Sequence, residues 1–130
     1  MEQASRTRKR ILVADDEPFL LRLTAIQFQN LGFEVVTAND GREALSILAT
    51  QKIFGCILDV MMPYVDGLEV LRTIRNDQTK ERMPVIMLSV KTEDEDVHKA
   101  YSYGADMYLT KPFGPDDIKT CAELISQYSF

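Results

Sequence analysis

"ILVADDEP", residues 11–18, sets three branched apolar residues and an alanine directly before three consecutive acids and a proline. The apolar part has the length and composition of a buried strand, and Pro18 stands where a helix can begin without losing a hydrogen bond. One β-to-α junction is thus written into eight residues, with its charge gathered at the carboxyl end of the strand. Neighbouring carboxylates repel one another, and desolvating any of them is costly unless a cation lies beside it. Either the junction is a well-hydrated turn, or it is built to receive positive charge.

Four more short apolar runs follow: "EVVTA" (34–38), "CILD" (56–59), "PVIML" (84–88) and "MYLT" (107–110). They alternate with segments of helical period, the pattern of repeated βα units around a parallel sheet. Their near-continuous hydrophobicity predicts strands covered on both faces. The first helix is expected from Pro18 to Leu31, closed by Gly32, and the second follows "NDG" (39–41) with Ala44, Leu45 and Leu48 on one face. The third starts at the N-cap Asp66 and carries Leu68, Leu71 and Ile74. In the fourth, over 92–105, Thr92 and Glu95 have capping-box spacing, the acids of the first turn complement the helix dipole, and Gly104 ends the run. The last, Pro115 to Tyr128, repeats Ile118, Cys121, Ala122 and Ile125 as a core-facing stripe. These elements make one compact five-stranded α/β sandwich.

The bulk properties narrow the function classes. A chain of 130 residues fits a single domain that buries about two-thirds of its unfolded surface. A net charge of −5, with 45% hydrophobic and 27% charged residues, describes a globular domain without the basic face that binds a phosphate backbone. The exception is "RTRKR" (6–10), read as part of a basic, flexible leader over residues 1–9, with a docking or nucleic-acid tail as the alternative. Cys56 and Cys121 lie far apart among apolar neighbours, without CxxC or Cys/His spacing, and are expected to be buried free thiols. No apolar run approaches the roughly 20 residues of a membrane span, and the N-terminus is too polar for a secretory signal. A reducing, cytoplasmic setting is expected.

In an open parallel sheet, ligands bind beyond the carboxyl ends of the strands, so the polar residues there carry the functional reading. Strand 1 ends in Asp15 and Asp16, strand 3 in Asp59, strand 4 in Ser89, and strand 5 in Thr110, Lys111 and Pro112. Singly, each has an ordinary explanation: Asp15 or Asp16 as a helix cap, Asp59 as a turn residue, Ser89 as a cap, Lys111 as a surface lysine. Together they form a set. Three carboxylates brought close together need a compensating cation, and hard oxygen ligands suit Mg²⁺. A metal, a lysine and a hydroxyl can stabilise a phosphoryl group in transfer, with a carboxylate as the nucleophile. No other nucleophile competes, since the one histidine, His98, falls on the surface of the fourth helix.

"ILVADDEP", "CILDVMMPYVDGLEVLRTIR", "PVIMLS" and "GADMYLTKPF" together resemble the receiver domain of two-component response regulators, chemotaxis regulators among them, over residues 10–128. The resemblance implies a flavodoxin-like (βα)5 three-layer sandwich with strand order 2-1-3-4-5, forming a receiver over residues 10–130. It implies Asp59 as the phospho-acceptor, with Asp16 and Asp59 ligating Mg²⁺ directly, Asp15 acting through water, and the Met61 backbone carbonyl completing the protein's ligands. Lys111 would pair with the phosphoryl group, and the Lys111–Pro112 bond would be cis. Ser89 falls at the family's hydroxyl switch position and Tyr108 at its aromatic one, coupling phosphorylation to the face of helix 4, strand 5 and helix 5.

The partners so implied are a sensor histidine kinase or histidine phosphotransfer protein upstream, and a protein target or missing output domain downstream. The chain would be a single-domain regulator or an excised receiver, and dimerisation on phosphorylation stays open. Val90, larger than the family's usual residue, would narrow access to Asp59, while Met61 and Lys91 are placed to tune acyl-phosphate hydrolysis. Tyr101, Tyr103 and Lys119 are expected on an exposed surface. The competing readings are weaker. A haloacid-dehalogenase-type phosphatase needs an acid two residues after its nucleophile, where this chain has Met61, so turnover of an external substrate is not expected. A nucleotide- or flavin-binding relative would need a Gly-rich phosphate loop, and neither GxxxxGK nor GxGxxG occurs. A degenerate receiver that binds partners without phosphorylation is the remaining alternative.

Overall fold

The structure is a computed structural model that describes residues 8–90, 94–111 and 113–128. Five strands alternate with five helices: β1 (Arg10–Ala14), α1 (Pro18–Gln29), β2 (Glu34–Ala38), α2 (Gly41–Thr50), β3 (Gly55–Asp59), α3 (Gly67–Asn76), β4 (Val85–Ser89), α4 (Asp94–Ser102), β5 (Met107–Thr110) and α5 (Pro115–Ser126). The sheet is entirely parallel in the order β2-β1-β3-β4-β5, so β1 and β3 lie side by side at its centre. Every strand was expected within a residue or so of where it lies. The fourth is shifted by one: Pro84 stays outside as a residue without an N–H, though its carbonyl accepts from Cys56 N, and Ser89 becomes the last strand residue.

Side-chain alternation along the strands builds two cores. Leu12, Ala14, Cys56, Leu58, Val85 and Met87 face the side covered by α2, α3 and α4, where Leu48, Leu71, Ile74 and Ala100 meet them. Ile11, Val13, Ile57, Ile86 and Leu88 face α1 and α5 and pack on Leu21, Phe28, Ile118, Cys121 and Ile125. β1, β3 and β4 are buried on both faces, as the unbroken apolar runs predict, and each fully buried leucine or isoleucine there stabilises the fold by about 1.5–3 kcal/mol. The edge strands β2 and β5 are only half covered.

Cys56 and Cys121 are buried, unpaired and on opposite sides of the sheet. Burial pushes both thiols up, Cys121 to about 12 with help from the nearby Asp117 charge, and Cys56 against the weaker pull of Arg75 and Lys80.

Helix boundaries follow their capping groups. Asp66 caps α3 as predicted, accepting from Glu69 N at 2.9 Å, and Asp40 caps α2 by accepting from Glu43 N at 2.8 Å. α1 ends at Gln29, earlier than predicted, and the chain reverses through Gly32 at φ 98°. Thr92, half of the predicted capping box, lies outside the described residues. Arg75, in the last turn of α3, ties together the end of the sheet where the strands begin. Its Nε donates to Gly104 O (2.9 Å), its Nη1 to Met83 O (2.7 Å) and its Nη2 to Asp106 Oδ2 (2.9 Å). Lys9, assigned to the leader, donates to the carbonyls of Ser126 and Tyr128 at 2.7 and 2.6 Å and so holds the end of α5. Among the described residues no helix is long and apolar enough to cross a membrane.

α3 approaches β3 so closely that only glycine fits at its first residue. A Cβ on Gly67 would stand 2.2 Å from Asp59 O and 3.0 Å from Met87 Cε. The substitution Gly67→Ala therefore pushes α3 away from the end of β3, and urea denaturation should show a loss of about 1–3 kcal/mol of stability.

Candidate functional site

The carboxyl ends of β1, β3, β4 and β5 meet in one cleft. Asp15 follows β1 directly, its N–H donating to Ala38 O at 3.1 Å, and its side chain is 1% exposed. Its Oδ1 accepts from Glu17 N at 2.9 Å, fixing the turn into α1. Asp59 is the last residue of β3 and 5% exposed, its Oδ1 accepting from Met61 N at 3.3 Å. Ser89 ends β4 and is buried. Lys111 is held one residue past β5 by a bond from its N–H to Ser89 O (2.9 Å), and its ammonium lies 2.8 Å from Asp15 Oδ2 and 3.2 Å from Asp59 Oδ2. Asp16 is exposed at the rim, yet its carboxylate comes within 4.8 Å of those of Asp15 and Asp59. The cleft above the buried acids has a volume of about 310 Å³ and is lined by Asp16, Asp59, Met61, Ser89, Val90 and Lys111, among others.

The structure therefore brings together Asp15, Asp16, Asp59, Ser89, Lys111 and the backbone of Met61. Tyr108 does not line the cleft. It is half-buried on β5, in register with Met87, against the core beneath α4. Pro112, with its peptide bond to Lys111, and Lys91 lie outside the described residues. Val90 borders the cleft with 71% of its surface exposed and Met61 with 55%. Tyr101 is exposed, whereas Tyr103 is half-buried between Arg72 and Lys99 and is less available than expected.

The helix cap at this junction falls to a residue that sequence reasoning passed over. Glu17, not Asp15 or Asp16, caps α1, its carboxylate accepting from Phe19 N at 3.3 Å. The signal was present, since the residue before a proline in the first turn is the N-cap. With Glu17 in that role, Asp15 and Asp16 are left for the cleft.

Charge in the cleft is unbalanced. Burial, and then the neighbouring Asp15 charge, push the Asp59 carboxyl up to about 7, against the opposing pull of Lys111. Burial works against the ammonium of Lys111, but its contacts with Asp15 and Asp59 outweigh that and raise its pKa. Asp15 Oδ2 is buried with the ammonium as an ion-pair partner but without a hydrogen bond of good geometry. Three converging carboxylates, one of them with such an under-satisfied oxygen, are a hard-oxygen donor set that fits a divalent cation such as Mg²⁺.

Comparison with known proteins agrees with this geometry. Residues 11–123 match the family described as response regulator receiver domain. The chain is 40% identical over 121 residues to the alkaline phosphatase synthesis transcriptional regulatory protein PhoP of Bacillus subtilis, covering 93% of this chain and 50% of that protein. It is 36% identical over 111 residues to the DNA-binding response regulator MtrA of Mycolicibacterium smegmatis, covering 85% and 47% respectively. The chain thus spans about half the length of these curated relatives. Among solved structures, the receiver domain of the Francisella response regulator 1452 superposes with a TM-score of 0.83 at 33% identity, covering 92% of this chain and 98% of that one. The chemotaxis response regulator CheY4 of Vibrio cholerae superposes with a TM-score of 0.84 at 30% identity, covering 92% and 99%.

The raised Asp59 carboxyl sets a pH dependence. With a folded-state pKa above its unfolded value of 3.8, Asp59 contributes stability that is complete below about pH 4 and is lost as pH rises through about 7. In chelator, Asp59→Asn should leave the melting temperature little changed at pH 4.5 and raise it by about 4 °C at pH 8, as thermal scans at the two pH values will show.

Proposed function

The chain belongs to the response regulator receiver domain family, and from that premise we propose that it is a signalling switch operated by phosphorylation of Asp59. The observation that carries this reading is the buried arrangement of Asp59 with Asp15 and Lys111 at adjoining strand ends, with Asp16 at the rim and a cavity above. A carboxylate whose neighbours already crowd it with negative charge is a poor place for another anion unless positive charge is supplied, and this cleft has donors for that purpose.

The phosphoryl donor is a phosphohistidine of a sensor kinase or a phosphotransfer protein. An Asp59 carboxylate oxygen attacks phosphorus, the P–N bond breaks with its electron pair passing to the ring nitrogen, and the histidine, protonated on its other ring nitrogen, leaves as neutral imidazole. Asp16, Asp59 and the Met61 carbonyl would hold Mg²⁺ directly and Asp15 would act through water; when bound, the ion would supply Lewis-acid compensation of the phosphoryl charge. Lys111 is released from part of its pairing with Asp59 and follows the new charge onto a phosphoryl oxygen. Ser89, buried at the next strand end, donates its hydroxyl to another. Because the adduct forms on the protein itself and water later removes it, the domain is its own substrate rather than a turnover catalyst.

The signal leaves through the α4–β5–α5 face. Ser89 and Tyr108 stand on neighbouring strands, Ser89 paired with Thr110 two residues beyond Tyr108. Movement of Ser89 towards the adduct alters the space available to the Tyr108 ring and biases the face between two arrangements. Its reader is a cytoplasmic protein target or a linked output domain.

Incubation with Mg²⁺ and acetyl phosphate should add one phosphoryl group by intact mass spectrometry, and Asp59→Asn or chelation should abolish the gain. A mass unchanged across donors and times would instead make the chain a phosphorylation-independent interaction module. Tyr108→Ala should leave the yield of phosphoprotein within about twofold while weakening capture of the downstream partner about tenfold, a loss of roughly 1.4 kcal/mol in binding.

A further inference from the structure

The loop between β3 and α3 contains a bulky residue in an unfavourable backbone conformation. Tyr64 has φ 69°, in the left-handed region that side chains other than glycine, asparagine and aspartate rarely occupy, and it is 72% exposed. Core packing does not hold it there. The Arg42 guanidinium carbon lies over its ring, 3.8 Å from the centroid. Arg42 is the second residue of α2, whose start is rigid: Asp40 accepts from Glu43 N, and Glu43 Oε1 accepts from Asn39 N at 2.7 Å. α2 and the loop also abut directly, since a Cβ on Gly41 would stand 1.7 Å from Val65 O.

The same loop begins in the cleft. Met61 N donates to Asp59 Oδ1, Val65 N to Pro63 O at 2.8 Å, and Gly67 N to Val60 O at 2.9 Å, closing residues 60–67 into one turn. A change of backbone at Tyr64 is therefore transmitted to Met61, three residues away within that closed turn.

We propose that the Arg42–Tyr64 stack is a positioning device for the cation site, holding the β3–α3 loop against the backbone preference of Tyr64 so that the Met61 carbonyl is presented to the cleft. The inference rests on the reading of the cleft as an Mg²⁺ site and assigns two residues outside it a role in that site. Arg42 acts here through its contact with the Tyr64 ring and not through its field at the cleft. As a cation stacked against the loop that borders the acids it opposes cation binding electrostatically, so the two effects of removing it have opposite signs.

The test is Mg²⁺ titration of the metal-free chain by calorimetry, with the Met61 amide followed by NMR. Arg42→Ala and Tyr64→Ala should each weaken Mg²⁺ binding about two- to fivefold, the factor that corresponds to one exposed cation–aromatic stack. Tyr64→Gly, which adopts the left-handed conformation without strain, should stay within about twofold of wild type. In that glycine background Arg42→Ala should weaken binding no further, since only the removal of its opposing charge remains, and the Met61 amide should shift in Tyr64→Ala but not in Tyr64→Gly. Unchanged or tighter binding in Arg42→Ala overturns the proposal, as does equal loss in Tyr64→Ala and Tyr64→Gly. A wild-type chain that takes up no Mg²⁺ overturns instead the cation reading on which the stack's role depends.

Discussion

The ammonium of Lys111 sits between two carboxylates that are almost out of water, and the arrangement of the cleft depends on that contact. Without it, Asp15 and Asp59 would face each other across adjacent strands with nothing to offset their repulsion, and one would take up a proton. Strand order makes the contact demanding. Lys111 follows β5, whereas its partners end β3 and β1, so the side chain must cross the end of β4, a step of two strand spacings or about 9.6 Å from β5 to β3. The residue on the intervening strand is Ser89, small enough to leave the path open, and its carbonyl anchors the Lys111 backbone. Four residues from four strand ends are thus mutually dependent, and none of them is explained by its own strand.

The opposite end of the sheet is organised by a second cation with a different task. Arg75 uses Nε, Nη1 and Nη2 on acceptors from the segments that precede β4 and β5, and Asp106, its ion-pair partner, also accepts from Val85 N at 2.8 Å. Its donors are spent on fixed backbone and one carboxylate, so its charge holds structure together. Lys111, by contrast, pairs with two acids that a third acid and an open cavity adjoin. The two ends differ in how fully their charges are satisfied, and the under-satisfied end is the one with chemistry to offer.

Much of this was legible in the residues. The parallel strands are readable because a strand covered on both faces needs an unbroken apolar run, and Ile11–Ala14, Cys56–Leu58 and Val85–Leu88 are such runs. The cleft is readable because acids directly after apolar strands have few structural uses, and a sheet of this topology gathers its strand ends. Tyr103 reads as exposed because an aromatic at the end of a helix has no evident cover in the sequence, whereas just past α4 it lies beside Arg72 and Lys99. The Arg75 contacts and the Arg42–Tyr64 stack were invisible for a related reason. They join residues 8, 29 and 31 positions apart at Arg75 and 22 apart at the stack through geometry that no periodicity encodes, and a left-handed tyrosine carries no mark in its neighbours' identities.

The two cysteines have a practical consequence. They are the only thiols in the chain, one on β3 sealed beneath α2, α3 and α4 and the other on the inner face of α5, and burial suppresses ionisation of both. A thiolate, the species an alkylating reagent captures, forms only when the layer above it lifts. The native chain therefore carries two internal clocks, whose labelling rates under a thiol reagent time the opening of each layer of the sandwich separately, without any engineered probe.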